Sequence, residues 1–188
     1  MPYLQSATNN VFGLAPAAGP QGRTGLYAVS STEATAILPG DAIVWTSIAT
    51  VRAAVSADTR GFVGVAAAAL PVASFSTVTL NCLVYDDPDQ VYAVAVTTSA
   101  GLTITDYGKA FNIIATATGT GIPSTAVSRS KHALHVNSAT SGAMLLMVGL
   151  HPVEALASGG YVITTSVGKP QKYLVKANSM ALYGPLTT

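Results

Sequence analysis

Short runs rich in Thr, Val, Ile and Tyr follow one another from Gly25 onward, each ended by a turn signal. This rhythm restricts the fold more than any other feature of the chain. β-Branched and aromatic side chains suit a pleated, half-buried surface, and such runs between turn residues read as strands. The pattern predicts strands near Leu26–Val29, Ala42–Thr46, Thr50–Ser56, Gly61–Ala68, Thr77–Tyr85 and Gln90–Val96. Further strands are predicted near Leu102–Thr105, Ala110–Ala117, His132–Val136, Ala143–Leu150, Tyr161–Thr165 and Lys172–Lys176. Pro39-Gly40-Asp41, Asp58-Thr59-Arg60-Gly61, Asp86-Asp87-Pro88-Asp89, Ser99-Ala100-Gly101, Gly119-Thr120-Gly121, Ser141-Gly142 and Ser158-Gly159-Gly160 are the turns between them. Many short strands at this spacing predict an all-β fold, a single antiparallel β-barrel or a jelly-roll-like sandwich. Helix is predicted to be scarce, with short turns at most over Ala66–Leu70 and Val153–Ala157.

The first 24 residues break the rhythm. They are rich in Ala, Pro, Gly, Asn and Gln and carry Pro2, Pro16 and Pro20. Such a stretch reads as an extended N-terminal arm. The expected organisation is an arm over 1–24, a β-barrel domain over 25–180 and a C-terminal tail over 181–188.

With 188 residues and 49% hydrophobic side chains the chain can bury a sizeable core. Charged residues make up only 9%, against roughly 25% in ordinary globular proteins. Charge keeps free molecules apart. A chain with so little reads as a stable β-protein with a Thr/Ser surface, as a subunit whose surface is covered in an assembly, or as both. Net charge is +1 and the Lys and Arg residues form no tract, so no nucleic-acid partner is expected. The apolar run from Phe62 to Ala73 is too short to span a bilayer and is interrupted by Pro71, so no membrane partner is expected either. The first twenty residues lack the basic and apolar regions of a secretory signal, and synthesis in the cytoplasm is expected.

Three of the eight acidic residues gather in Asp86-Asp87-Pro88-Asp89. Alternating carboxylates can hold a hard cation, but the glycine and distal Glu of a calcium loop do not follow. A turn explains the cluster better, with Asx hydrogen bonds around a proline that fixes φ. A salt bridge to a neighbouring subunit is a third use. His132 and His135 stand three apart in a strand-like run, which points them to opposite faces. They and His151 read as surface or interface residues, and no metal is expected. Cys82 has no partner for a disulfide and reads as a small buried hydrophobe, fitting folding under reducing conditions. No nucleophile elbow or phosphate loop is present. With Glu33 and Glu154 the only glutamates, a glycosidase pair has little to draw on. No catalytic residue and no cofactor are predicted.

Several stretches resemble a family of tailed-bacteriophage virion proteins, the head decoration (cement) or minor capsid structural proteins. They are Leu38-Pro39-Gly40-Asp41-Ala42-Ile43-Val44 with Gly61-Phe62-Val63-Gly64-Val65-Ala66; Val84-Tyr85-Asp86-Asp87-Pro88-Asp89-Gln90-Val91-Tyr92; Thr105-Asp106-Tyr107-Gly108-Lys109-Ala110-Phe111; and Met144 to Leu150 with Tyr173 to Asn178. The likeness covers residues 38 to 180. It departs from the family at the apolar Ala93-Val94-Ala95-Val96 and after Asn178. The resemblance implies a non-enzymatic subunit on the outer capsid surface of a virion, assembled in the host cytoplasm. It would bridge major capsid protein subunits and associate with itself as a dimer or trimer. Pro16, Pro20, Arg23, Asp86, Asp87 and Asp89 are the expected interface residues. The alternative is a receptor- or carbohydrate-binding β-module of a phage fibre or spike, with Trp45 as the stacking platform.

Overall fold

The computed structural model describes residues 13–18, 23–29, 33, 36–46, 50–56, 58, 61–70, 80–96, 102, 104–115, 130, 132–135, 143–150 and 172–178. Among them the fold is all-β. Eleven strands run in chain order: β1 (Ala15–Ala18), β2 (Thr24–Ala28), β3 (Ala42–Trp45), β4 (Val51–Ala53), β5 (Phe62–Ala66), β6 (Asn81–Tyr85), β7 (Val91–Ala95), β8 (Ala110–Ile114), β9 (Ala133–His135), β10 (Leu145–Leu150) and β11 (Lys172–Ala177). The strand expected near Leu102–Thr105 is instead a 3-10 turn over Ile104–Asp106. There Lys109 Nζ reaches Asp106 Oδ1 at 2.8 Å and the Lys109 N–H donates to the Asp106 carbonyl at 3.1 Å, closing the chain on itself before β8. The strand expected at Tyr161–Thr165, the turn at Val153–Ala157, His151 and the tail 181–188 lie outside the described residues.

The strands form two antiparallel sheets. One has six strands in the order β1-β7-β11-β10-β8-β9, the other five in the order β2-β6-β5-β3-β4. They do not close into the barrel that was the first expectation. A single parallel bridge, Val29 to Val51, brings the ends of β2 and β4 together, and Val96 to Leu134 does the same for β7 and β9. Closure needs a continuous ladder of shifted register, and β4 and β9, three residues each, are too short to supply one. The open two-sheet arrangement is compatible with a sandwich.

Two cores follow from the five-stranded sheet being covered on both faces. Side chains alternate across a strand, so Ala42 and Val44 of β3 enter the core between the sheets while Ile43 enters a second core on the opposite face. The first core also holds Tyr92, Val94, Phe111, Ile113, Leu145, Met147, Tyr173 and Val175 from the six-stranded sheet. The second is closed by Val29, Ile37, Leu70 and Leu80, with Ile37 and Leu70 exchanging backbone hydrogen bonds at 3.0 and 2.8 Å. This double burial explains why Phe62-Val63-Gly64-Val65-Ala66 is apolar throughout, as strands buried on both faces are.

Strand β5 alternates with one slip. Ile43 pairs with Gly64 and Val44 with Phe62, leaving Val63 as the extra residue of a β-bulge. The slip returns Val65 to the same core as Phe62. Gly64 is required there, because a Cβ at this position would overlap the Tyr85 carbonyl oxygen and lie 2.8 Å from Val84 Cγ1.

Part of the segment read as an arm is built into the fold. Leu14 is buried and Ala15, Pro16 and Ala18 pair with Ala93, Tyr92 and Val91 of β7, with a bulge between Pro16 and Ala18. One apolar anchor and a run of small residues suffice for an edge strand, and proline is tolerated where its missing N–H faces away from the ladder. Residues 1–12 and 19–22, Pro20 among them, lie outside the described residues.

Candidate functional site

The acidic cluster sits where the chain changes sheets. Strand β6 belongs to the five-stranded sheet and β7 to the six-stranded one, so residues 86–90 carry the chain across. The end of β1 and the start of β2 flank this crossing, Ala18 pairing with Val91 and Thr24 with Tyr85. The structure therefore brings Pro16, Arg23, Asp86, Asp87 and Asp89 to one corner.

Within that corner the aspartates are turn residues, as the spacing suggested. Asp87 Oδ1 accepts the Asp89 N–H at 2.9 Å, and the Asp87 carbonyl accepts the Gln90 N–H at 3.1 Å. Pro88 stands at the second position of this turn, where its fixed φ belongs. Asp86 fastens this crossing to the start of β2. Its Oδ2 accepts the Tyr27 hydroxyl at 2.6 Å, its Oδ1 lies 3.2 Å from Arg23 Nε, and its N–H reaches the Arg23 carbonyl at 3.3 Å. Gly25 leaves the room, since a Cβ on it would stand 2.7 Å from Asp86 Oδ2. Burial, followed by the hydrogen bond to Asp86, pushes the Tyr27 phenol up to about 12. Burial also raises the Tyr92 phenol, whose hydroxyl donates to the Tyr85 carbonyl at 3.0 Å across the same turn.

This geometry decides what each residue can offer a partner. The Asp86 side chain is only 6% exposed, whereas that of Arg23 is 68% exposed. Asp86 is thus engaged within its own chain, and Arg23, Pro16, Pro88 and Asp89 form the accessible rim. Among the described residues no three His, Cys, Asp or Glu side chains are placed to hold a metal ion.

A second polar group was invisible in the sequence. His132, read as a surface or interface residue, is buried, as is Asp41. The Ala42 N–H donates to His132 Nδ1 at 2.9 Å, so the neutral ring carries its proton on Nε2, which lies 3.8 Å from Asp41 Oδ1. Burial lowers the imidazole's pKa, and the Asp41 and Asp58 charges oppose this. Asp41 is placed by the Leu38-Pro39-Gly40-Asp41 turn, where its Oδ2 accepts the Leu38 N–H at 2.8 Å and Gly40 adopts a φ of 91°. Ser130 completes a Ser, His and Asp set in composition but not in chemistry. Its Oγ accepts the His132 backbone N–H at 3.2 Å, and both ring nitrogens are otherwise directed. Among the described residues no base faces the hydroxyl, so this arrangement does not activate a nucleophile. Cys82 is buried as expected, and burial, then the Asp41 charge, pushes its thiol up to about 12, which removes thiolate reactivity.

The remaining feature is an exposed apolar face. Leu26 of β2 pairs directly with Leu83 of β6, and the two are 69% and 36% exposed. They share a face with Tyr85, which packs against the core between the sheets. The inner face of the five-stranded sheet therefore continues beyond its apolar cover, flanked by exposed Thr24 and Asn81 and by no charge on either strand. Trp45, the proposed sugar platform, is half-buried against the second core, with its ring centroid 5.5 Å from that of Tyr27 in an edge-on contact. No known protein-family model matches this chain, and no curated protein matches it significantly.

Proposed function

We propose that this chain is a non-enzymatic virion structural protein that binds the outer surface of a phage capsid and bridges major capsid protein subunits. The observation that carries this reading is the uncharged Leu26–Leu83 face, which extends the inner face of a sheet into solvent. Contiguous exposed apolar surface rimmed by polar residues marks interaction sites. The centres of protein interfaces are depleted in Lys, Asp and Glu, and this chain is only 9% charged. Arg23 and Asp89 at the neighbouring corner supply a polar rim. A self-associated subunit touching several capsid proteins gains avidity from individually weak contacts. Mixing the purified protein with undecorated capsids and sedimenting the particles tests the reading. Retention at defined stoichiometry is expected, reduced at least tenfold by Leu26→Asp, whose carboxylate would be desolvated at the interface centre. Absence of retention at saturating protein refutes it.

A further inference from the structure

The seat of His132 fixes more than its own ring. The Gly13 N–H donates to the His132 carbonyl at 2.8 Å, and the Leu14 N–H donates to the Gly40 carbonyl at 2.9 Å. The entrance to β1 is thus held between His132 and the 38–42 turn, and the His132 ring joins those two through the Ala42 N–H at 2.9 Å. Beyond this point β1 is an edge strand with one neighbour and a broken register.

We propose that His132 is an acid-operated latch for the first strand: protonating its ring breaks the junction that holds Gly13 and Leu14, and β1 leaves β7 while the other strands stay paired. The neutral ring accepts at Nδ1 from a backbone N–H that can only donate. A proton added at Nδ1 sets two donors against each other inside the core, so the ring must leave its seat. Among the described residues, the charged groups around it supply no acceptor to a proton on Nδ1. Asp41, on the 38–42 turn, faces Nε2 through Oδ1 at 3.8 Å, the nitrogen that already carries the proton of the neutral ring, and so offers no acceptor to a proton on Nδ1. Asp58, following β4, is held by Arg52 at 2.6 and 2.8 Å. Cys82 on β6 stays a neutral thiol, Ser130 offers a hydroxyl, and residues 13–14 carry no charge. Outside the fold the ring regains an ordinary affinity for protons, so the opened form binds one proton more than the closed form once the pH falls below 6.5. This latch is independent of the capsid reading.

Amide hydrogen exchange on the full chain tests it, with rates normalised to intrinsic chemistry between about pH 7 and about pH 5. Opening at Leu14 is expected to rise by up to about tenfold per pH unit below the unfolded-state value, the slope of a single linked proton. Protection at Met147 and Val175, in β10 and β11, should stay constant. His132→Asn keeps an acceptor near the Nδ1 position but does not titrate, and should abolish the slope at Leu14. A slope unchanged in His132→Asn, no slope in the wild type, or loss of Val175 protection in step with Leu14 overturns the proposal. Should the variant not fold, the His132 ring is titrated by NMR in the wild type. Its midpoint must coincide with that of Leu14 opening, and a separate midpoint refutes the latch.

Discussion

Replacing Asp86 by Ala cuts the fastening between the β6–β7 crossing and the start of β2, and the structure sets the size of the loss. The Tyr27 hydroxyl donates to Asp86 Oδ2 at 2.6 Å in a part-buried setting. A hydrogen bond to a charged group contributes about 1.5–3 kcal/mol. The Arg23 contact at 3.2 Å adds little, because its side chain is 68% exposed and such pairs contribute about 0.2–1 kcal/mol. Releasing a carboxylate from its desolvated position offsets part of the loss. Asp86→Ala should therefore destabilise the fold by about 2 kcal/mol, which for a chain of this length lowers Tm by about 4–8 °C. Arg23→Gln should cost less than about 0.5 kcal/mol. A double-mutant cycle by chemical denaturation, combining Asp86→Ala with Tyr27→Phe, should return a coupling of about 1–2 kcal/mol. A coupling indistinguishable from zero would show that the corner is not held by this pair. A loss under about 0.5 kcal/mol for Asp86→Ala would show that the cluster is not structural.

Two further outcomes follow from the geometry. Gly64→Ala forces a methyl group into the Tyr85 carbonyl, where backbone rather than a side chain must yield. It should cost about 3 kcal/mol or more through overpacking and a displaced β5–β6 pairing, read as a drop in denaturation midpoint; a neutral effect would contradict the bulge. At alkaline pH, the Tyr27 phenol, raised from 10.0 to about 12 in the folded state, holds its proton more tightly than in the unfolded chain. Its contribution is complete below pH 10 and is lost as the pH rises towards about 12. Tyr27→Phe should flatten that decline in stability measured against pH, and an unchanged decline would assign it to other groups.

Strand positions were legible because β propensity and turn chemistry agreed locally. Ala42–Trp45, Phe62–Ala66 and Val91–Ala95 fall within runs read from the sequence, bounded by the Pro39-Gly40-Asp41 and Asp86 to Asp89 turns. The Asx turn at Asp87 was legible for the same reason, since its partner is two residues away. What the sequence did not disclose depends on distant pairing. Strand β1 has almost no β propensity and exists because β7 offers it an edge. The choice between closed barrel and open sheets depends on whether short β4 and β9 complete a ladder. His132 and Asp41 are far apart in the chain, and no local pattern marks them as neighbours. The Leu26–Leu83 face looked like ordinary strand periodicity, because exposure of an apolar pair depends on where the opposing sheet stops.

The claim that this β-scaffold serves by being covered is tested most directly by comparing amide exchange of the free protein with that of the protein bound to capsids. Thr24–Ala28 and Asn81–Tyr85 should exchange at least tenfold more slowly on the particle, while the already buried β10 and β11 change little. Unaltered exchange across Leu26 and Leu83 in particle-bound protein, or protection confined to a different surface, would contradict it.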